Sequence, residues 1–192
     1  ATLFSPWGKK VTVDLYRHRK GFPFDDPWGI GARQAWARLK TRGLTVAYLG
    51  VGSGAEVVQT LRNGQSPARI FLNDVVLENL EVCQANLETH GGSLDHIDVR
   101  RSYHRAEEAL RWNEGEFDLI LGCLPQVPAT QVPDAEQIAH VYPIKDYPQL
   151  SEWGFGLLHA VLEAAQVSLN QQGRVSLVVS GRVPWTAVID LF

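Results

Sequence analysis

Apolar segments of strand length alternate with amphipathic segments of helix length from residue 45 to residue 179. The short apolar runs predict strands at 45–49, 69–73, 97–100, 117–121 and 174–179. Apolar positions at helical spacing predict helices at 55–62, 76–89, 105–111 and 153–169. Because strands that alternate with helices favour right-handed crossovers, we predict a doubly wound α/β fold on a mainly parallel sheet. A ligand is then expected at the carboxyl edge of the strands.

The first 44 residues do not follow this alternation and are predicted to form an N-terminal, aromatic-rich arm or substrate cap. Within it, residues 10–16 alternate like a strand, residues 21–29 have the composition of an aromatic loop, and a helix is predicted at 32–39. Residues 45–192 are then predicted to form the ligand-binding domain.

A second irregular segment, residues 122–151, separates the fourth predicted strand from the last predicted helix. It contains five prolines and is too long for an ordinary connection between two elements. We therefore predict that it forms a lid or substrate loop.

The composition narrows the classes of function. The chain has 192 residues, of which 45% are hydrophobic and 20% charged, as in a globular domain with a sizeable core. A net charge of −3 with interspersed signs does not favour nucleic acid as a partner, and no apolar run approaches the roughly 20 residues that span a bilayer. We expect a cytoplasmic protein acting on a small molecule. Cys83 and Cys123 have no metal-site spacing, so no metal is predicted.

A strand that runs into three alternating glycines is the most informative motif. Gly50, Gly52 and Gly54 follow the strand at 45–49 and precede a predicted helix. Alternating glycines let a backbone turn sharply and lie against a ligand, just where the N-terminus of a helix exposes unpaired N–H groups. Asp74 follows the next strand, twenty residues beyond Gly54, where a carboxylate can hold two ribose hydroxyls. The motif predicts a nucleotide cradle.

With these residues, the chain resembles the class I S-adenosylmethionine (SAM) methyltransferases over residues 44–182. The resemblance implies a Rossmann-like core, SAM as cofactor, a glycine turn that holds its methionine part and Asp74 on its ribose. A narrower resemblance is to the methyltransferase domain of plant methionine S-methyltransferase. It rests on three segments, at 118–126, 153–158 and 179–184.

The chain also departs from the class I pattern. Tyr48 stands where these enzymes usually have an acid that helps to hold the α-ammonium group of SAM, and Ser102 and Tyr103 stand where a second acid usually binds the adenine amine. Adenine is then expected to be held by stacking. Tyr48 and Tyr103 would also fit core or rim aromatics of a domain that has lost its cofactor. Two strands that usually follow the fifth are expected to be absent, because the sheet is short or because the C-terminal part has been removed.

The segment Gly122-Cys123-Leu124-Pro125-Gln126 indicates the type of acceptor. Relatives that methylate amides and amines carry Asn-Pro-Pro-Tyr at this place, and here the Asn and the first Pro are replaced. A thioether acceptor has no NH₂ group that must be held by hydrogen bonds and no proton that a general base must remove. Catalysis then requires only that the acceptor sulfur and the methyl group are aligned and that water is excluded. The catalytic candidates are Tyr48, Cys123 and Gln126. Cys123 is either a nucleophile or a small buried residue.

Aromatic residues of the arm and the lid are candidates for the substrate pocket, because ring faces attract a desolvated sulfonium. Packing of the arm onto the core is the alternative for each ring. Arg182, after the fifth strand, is the candidate partner of a substrate carboxylate, and the basic run at 17–20 is a second one. The aromatic candidates are Phe22, Phe24, Trp28, Tyr142, Tyr147 and Trp153.

Three functions remain open from the sequence. The first is SAM-dependent methyl transfer to a thioether, or to a similar nucleophile, of a small amino-acid-like molecule. The second is cyclisation of SAM itself to azetidine-2-carboxylate, in which the α-amine attacks the γ-carbon and methylthioadenosine is released. The third is a non-catalytic domain that binds SAM or a nucleoside. The sequence does not specify the oligomeric state.

Overall fold

The structure is a computed structural model that describes residues 1–17, 25–128, 148–180, 183–189 and 191. It begins with an antiparallel hairpin of two short strands, followed by a helix that leads into the core. In chain order these elements are β1 (Thr2–Phe4), β2 (Lys10–Thr12) and α1 (Pro27–Trp36).

The core alternates strands and helices as predicted. Its strands are β3 (Thr45–Leu49), β4 (Arg69–Asn73), β5 (Asp98–Ser102), β6 (Phe117–Gly122) and β7 (Leu169–Leu177). Its helices are α2 (Ala55–Arg62), α3 (Leu77–His90), α4 (Ala106–Arg111), α5 (Pro148–Glu152), α6 (Gly156–Ser168) and α7 (Trp185–Ile189). The strands form one parallel sheet in the order β5-β4-β3-β6-β7, which confirms the doubly wound fold.

Both faces of the sheet are covered, because the side chains of β3 alternate between them. Val46 and Tyr48 belong to the cluster packed by α1, α2 and α3, whereas Ala47 and Leu49 belong to the cluster packed by α4 and α6. All four side chains are at most 2% exposed. A strand buried on both faces has no polar side, which explains its continuous apolar sequence.

The arm differs from its prediction in two ways. The strand predicted at 10–16 ends at Thr12, and it pairs with β1, which the sequence pattern did not indicate. The helix predicted at 32–39 begins five residues earlier, at Pro27, because Asp26 caps it. The Asp26 carboxylate accepts a hydrogen bond of 2.8 Å from the N–H of Gly29, and proline at the first helical position needs no partner for its nitrogen.

The arm is fastened to α2 through a row of polar side chains on one helix face. Gln59, 2% exposed, accepts a hydrogen bond from the Phe4 N–H (2.6 Å) and donates one to the Arg33 carbonyl (2.7 Å). Asn63 donates to the Phe4 carbonyl (3.0 Å), and Glu56 pairs with the Arg33 guanidinium (2.9 Å). Positions three and seven residues after Glu56 lie on one side of a helix, so a single face of α2 binds the arm.

The last strand is less regular than predicted. Leu169 pairs with Phe117, but the next pair joins Arg174 to Leu119, so four residues of β7 lie opposite a single residue of β6. From Arg174 the register is continuous, which is where the strand was predicted to start. The short helix α5 was not predicted. In the part of the chain described above, no helix has the length and apolar character needed to cross a membrane.

Candidate functional site

The glycine turn between β3 and α2 needs glycine for two different reasons. All three of its glycines have positive φ, with Gly52 at +50° and Gly54 at +75°. A Cβ on Gly52 would meet nothing within 4 Å, so the backbone there borders open space that a ligand can enter. A Cβ on Gly54 would lie 2.5 Å from the Cys83 Sγ, so Gly54 permits the close approach of α3. The turn therefore presents bare backbone at its middle and is packed at its end.

Asp74 lies beside this turn, in the position that the sequence predicted. Its carboxylate is 5% exposed and accepts hydrogen bonds from the N–H of Gly52 through Oδ2 (2.9 Å) and from the N–H of Val76 through Oδ1 (2.9 Å). The side chain amide of Asn79 also donates to Oδ1, at 3.2 Å. A carboxylate offers about four acceptor positions, and these bonds fix its orientation beside the turn. The residues at the turn thus fit a nucleoside with a ribose diol.

The neighbouring strand brings Ser102 and Tyr103 to the same edge. The Asp74 N–H donates to the Ser102 carbonyl (3.1 Å), which aligns the ends of β4 and β5. Ser102 is buried, with its hydroxyl accepting a 3.4 Å hydrogen bond from the His104 N–H, whereas Tyr103 is 60% exposed. The Tyr103 ring is stacked on the His104 ring with centroids 4.6 Å apart. The predicted base-binding residues therefore lie next to Asp74.

Tyr48 is a core residue, which corrects its prediction as a catalytic residue. Its ring is 2% exposed, and its hydroxyl donates to the Thr60 Oγ1 at 3.0 Å, which in turn donates to the Glu56 carbonyl at 3.0 Å. Burial raises the pKa of the phenol far above its ordinary value. The side chain points from β3 into the layer of α1 and α2, because it shares the face of Val46.

Cys123 follows β6 and lies next to Gly50, since Gly122 pairs with Leu49. Burial, together with the negative charges of Glu56 and Asp26, raises the pKa of its thiol to about 12. At neutral pH the sulfur is therefore protonated, and a protonated thiol is a poor nucleophile. Of the two roles that the sequence left open, the structure supports the small, half-buried residue.

Glu56 is a charged residue of this region that the sequence analysis missed. It lies in the first turn of α2, where burial raises the pKa of its carboxyl. The Arg33 guanidinium, 2.9 Å away, lowers this pKa but by less than burial raises it. Its Oε1 and the Oδ2 of Asp26 would lie 3.8 and 3.5 Å from a Cβ on Gly29, so two carboxylates and one guanidinium surround this glycine. The available signal was a glutamate within an otherwise apolar helix turn.

Gln126 joins the three segments that carry the narrower resemblance. Its Oε1 accepts a 2.7 Å hydrogen bond from the Ser180 N–H, and its Nε2 donates to the Trp153 carbonyl at 3.4 Å. Gly154 has φ of +73°, and a Cβ there would lie 2.7 Å from the backbone of Val127. Both ends of the Gln126 amide thus contact backbone, so its side chain links the end of β6 to the residues after β7 and before α6; its catalytic role stays a prediction.

Leu124 covers the start of the glycine turn. One of its methyl groups would lie 3.0 Å from a Cβ on Gly50, and the other would lie 3.5 Å from a Cβ on Gly122. The sequence analysis treated Leu124 only as a replacement for proline. In the structure it forms an apolar wall at the point where β3 and β6 both end.

Asn86 is a second residue that was missed. This fully buried amide of α3 donates to the Ser53 carbonyl (2.9 Å) and to the Tyr16 carbonyl (2.8 Å), and it accepts from the Tyr16 N–H (2.8 Å). It thus connects the arm directly with the glycine turn. No local sequence signal distinguishes it from an ordinary helix asparagine.

The remaining candidates are only partly tested. Trp28 is 40% exposed in the first turn of α1, beside Gly29, and Trp153 is 37% exposed next to Gln126. Within residues 1–17, 25–128, 148–180 and 183–191, apart from 190, no group of three or more His, Cys, Asp or Glu side chains could hold a metal ion. Five candidates lie outside the described residues: Phe22, Phe24, Tyr142, Tyr147 and Arg182.

Comparison with known proteins identifies the fold. No protein-family model matches the chain, and no curated protein sequence does. A precorrin-8w decarboxylase structure from Methanobacterium thermoautotrophicum matches with a TM-score of 0.56 at 16% identity, over 92% of this chain and 77% of its own. A ribosomal protein L11 methylase from Lactobacillus delbrueckii matches with 0.54 at 16%, over 90% and 72%.

A SAM-dependent O-methyltransferase from Thermotoga maritima also matches, with a TM-score of 0.54 at 15% identity, over 90% of this chain and 51% of its own. The names of these proteins span small-molecule and protein substrates, so the shared feature is the architecture. The five-stranded parallel sheet, its strand order and the glycine turn after its first core strand agree with that architecture. The chain therefore has the Rossmann-like fold of the class I methyltransferases.

Proposed function

We propose that this protein binds SAM and transfers its methyl group to the thioether, or to a similar unprotonated nucleophile, of a small amino-acid-like molecule. One observation carries the proposal: the Asp74 carboxylate is held by the N–H of Gly52, at a place where the backbone borders open space. A carboxylate so oriented suits a ribose diol, and bare backbone suits the chain attached to it.

The residues around Gly50 would align the reaction and exclude water. SAM, when bound, supplies a methyl group on a positively charged sulfur that a nucleophile can displace. Leu124 forms an apolar wall beside Gly50, and the neighbouring Cys123 thiol is protonated and neutral. A thioether has no proton to lose, so this site needs no general base, and alignment in a dry pocket supplies the rate enhancement.

The arm is proposed to cap the acceptor site. It is fastened to α2 and, through Asn86, to the glycine turn, so its position relative to the turn is fixed. Trp28 precedes Gly29 in the first turn of α1 and is 40% exposed. An exposed indole offers a ring face to a cation such as the ammonium group of an amino acid or a sulfonium product.

The same carboxylates weigh against the cyclisation hypothesis. Cyclisation needs an α-amine that has lost its proton, whereas nearby negative charge stabilises the ammonium form. Both Glu56 and Asp26 act electrostatically on Cys123, which adjoins Gly50. The Arg33 guanidinium opposes both with a smaller effect on the pKa of Cys123, so the balance of charge beside Gly50 is negative although Tyr48 is not an acid. We take this balance as support for methyl transfer.

The product identifies the reaction. Purified protein is incubated with SAM and methionine-like acceptors, and the nucleosides are separated by mass. Methyl transfer leaves S-adenosylhomocysteine, whereas cyclisation leaves methylthioadenosine from SAM alone. We expect S-adenosylhomocysteine that depends on the acceptor. Binding without either product would support the non-catalytic hypothesis instead.

Asp74→Asn tests the cofactor site without relying on turnover. The substitution keeps the shape of the side chain and removes its charge. A hydrogen bond to a charged group contributes about 1.5–3 kcal/mol, so the affinity for S-adenosylhomocysteine, measured by calorimetry, should fall by roughly 10- to 100-fold. The control is Asp98→Asn, since Asp98 lies at the opposite end of the sheet and is paired with Arg69. Equal affinity in wild type and Asp74→Asn would refute the proposed site.

A further inference from the structure

Charge is unevenly distributed along the sequence. Residues 1–44, the arm, carry nine Lys or Arg residues and three Asp or Glu residues, whereas residues 45–192 carry nine and eighteen. The arm thus has a formal charge of +6 and the domain one of −9, which together give the −3 of the whole chain. The net charge by itself does not favour nucleic acid, but it conceals a basic arm that attracts acidic partners.

Exposed basic residues of the arm border a groove between the hairpin and α1. The groove has a volume of about 400 Å³, and its walls include Lys10 of the hairpin and Arg38, which follows α1. Of its described lining residues none is acidic. Lys10 and Arg38 are exposed, and neither takes part in an ion pair with another described residue. Both walls of the groove therefore carry a positive charge.

An exposed indole stands beside this groove on a well-fixed turn. Trp7 is 92% exposed and lies between Ser5 and Gly8, which both line the groove. The Gly8 N–H donates to the Ser5 carbonyl (2.9 Å), and the Lys9 N–H donates to the Ser5 hydroxyl (3.0 Å). The Arg38 Nε donates to the carbonyl of Pro6 at 3.1 Å, so a guanidinium adjoins the same turn. A ring on an ordered turn loses little conformational freedom when a planar group stacks on it.

The groove lies at the far end of α2 from the glycine turn. Asn63, directly after α2, donates to the carbonyls of Phe4 (3.0 Å) and Ala37 (3.4 Å), which both line the groove. Gly54, directly before α2, belongs to the glycine turn. The eight residues of α2, at about 1.5 Å per residue, separate the two places by roughly 12 Å. A molecule bound in the groove therefore leaves the glycine turn free.

Single-stranded RNA suits these features better than other acidic partners do. Cations on both walls of a groove can follow phosphates, and an exposed ring can stack on a base. In a duplex the faces of the bases are covered by their neighbours, and a bilayer is too broad to enter a groove. Ser5 and Gln34 also line the groove and offer a hydroxyl and an amide to the 2′-hydroxyl that distinguishes RNA from DNA.

We propose that the groove between the hairpin and α1 binds single-stranded RNA, with Lys10 and Arg38 on its phosphates and Trp7 stacked on a base. The proposal is independent of the proposed function, because its ligand lies outside the glycine turn and no turnover is needed.

Fluorescence anisotropy with a labelled 12-nucleotide uridine RNA tests the charges, without SAM and between 20 and 200 mM NaCl. Two phosphate contacts predict that the logarithm of the association constant falls with that of the salt concentration with a slope of about −1.4 or steeper. Lys10→Gln and Arg38→Gln should each make the slope shallower by about 0.7, whereas Arg38→Lys keeps the charge and should keep the slope. The matched control is Arg111→Gln, since Arg111 is exposed on α4, at the other face of the sheet. It should leave slope and affinity unchanged.

The same assay tests the ring. Trp7→Ala should weaken binding by roughly 5- to 150-fold, the range found when a stacking ring is removed, and Trp7→Phe should stay within about fivefold of wild type. The control is Trp112→Ala, because Trp112 is 63% exposed directly after α4. A duplex and a single-stranded DNA of matching length should both bind more weakly than the RNA, and S-adenosylhomocysteine should not displace it.

Several outcomes would overturn the proposal. The wild type could fail to bind the RNA, or it could bind the DNA or the duplex equally well or more tightly. The Lys10, Arg38 and Trp7 variants could behave like the Arg111 and Trp112 controls. The protein could also sediment with phosphatidylserine vesicles and not bind the RNA, which would make the groove part of a membrane-binding surface. None of these results affects the proposed function, which calorimetry with S-adenosylhomocysteine tests separately.

Discussion

Gly54→Ala should destabilise the fold through two separate costs. Gly54 has φ of +75°, and a residue with a Cβ loses about 1–2 kcal/mol in this left-handed conformation. The new Cβ would also lie 2.5 Å from the Sγ of Cys83, a fully buried side chain of α3, and overpacking of this kind costs about 1–3 kcal/mol. The free energy of unfolding, measured with urea, should therefore fall by about 2–5 kcal/mol.

A double-mutant cycle separates the two costs. In a Cys83→Ala background the sulfur at 2.5 Å is gone and the nearest remaining atom is the Cβ at 3.3 Å, so the cost of Gly54→Ala should fall toward the conformational part of about 1–2 kcal/mol. Gly52→Ala is the matched single variant, since Gly52 also has positive φ but a Cβ there meets nothing within 4 Å. It should likewise lose about 1–2 kcal/mol of stability, and it should lose ligand affinity as well, because the added carbon borders the cradle.

Two results would contradict this reasoning. Equal destabilisation by Gly54→Ala and Gly52→Ala would mean that nothing packs against Gly54. A cycle without coupling between Gly54 and Cys83 would mean that their close approach contributes nothing to stability. In either case α3 would not pack against the start of α2 as described.

Two further predictions concern Glu56 and Gln126. Burial holds the pKa of Glu56 above its ordinary value of 4.5 in the folded chain, so the folded state favours the protonated carboxyl. The contribution of Glu56 to the free energy of unfolding is therefore complete below about pH 4.5 and is lost as the pH rises through the folded-state pKa. The free energy of unfolding, measured with urea between pH 4 and 8, should therefore fall with rising pH, and Glu56→Gln should remove the part of this decrease that Glu56 causes. An unchanged decrease in the variant would mean that another group causes it. Gln126→Ala should lower the free energy of unfolding by about 1–3 kcal/mol, because it leaves the part-buried Ser180 N–H without this acceptor. The surface variant Gln84→Ala should change it by less than about 0.5 kcal/mol, and equal effects of the two would contradict this role of Gln126.

The core could be predicted from the sequence because its signals are local. Buried parallel strands give continuous apolar runs, and the observed strands β3 and β4 coincide with the predicted ranges. The proximity of Asp74 to the glycine turn was predicted for the same reason: the spacing from Gly54 to Asp74 reflects one helix and one strand, so it places the acid at the end of the neighbouring strand.

What the sequence could not supply depends on orientation and on distant partners. The spacing shows that Tyr48 precedes Gly50 by two residues, but not that its side chain shares the buried face of Val46. The hairpin of the arm was missed because β1 is only three residues long and β2 is exposed along its whole length, so neither strand carries a periodic signal. The role of Gln59 depends on residues that are more than twenty positions away.

The bonds between α2 and the arm also protect the chain against unwanted association. β1 pairs with β2 along one edge, and its other edge would normally present unpaired N–H and C=O groups to any passing strand. Here side chains occupy those groups: Gln59 and Asn63 bind both polar atoms of Phe4, and the Arg33 Nε donates to the Thr2 carbonyl at 2.9 Å. The β1 edge of this two-stranded ribbon is thereby closed to a strand from another copy.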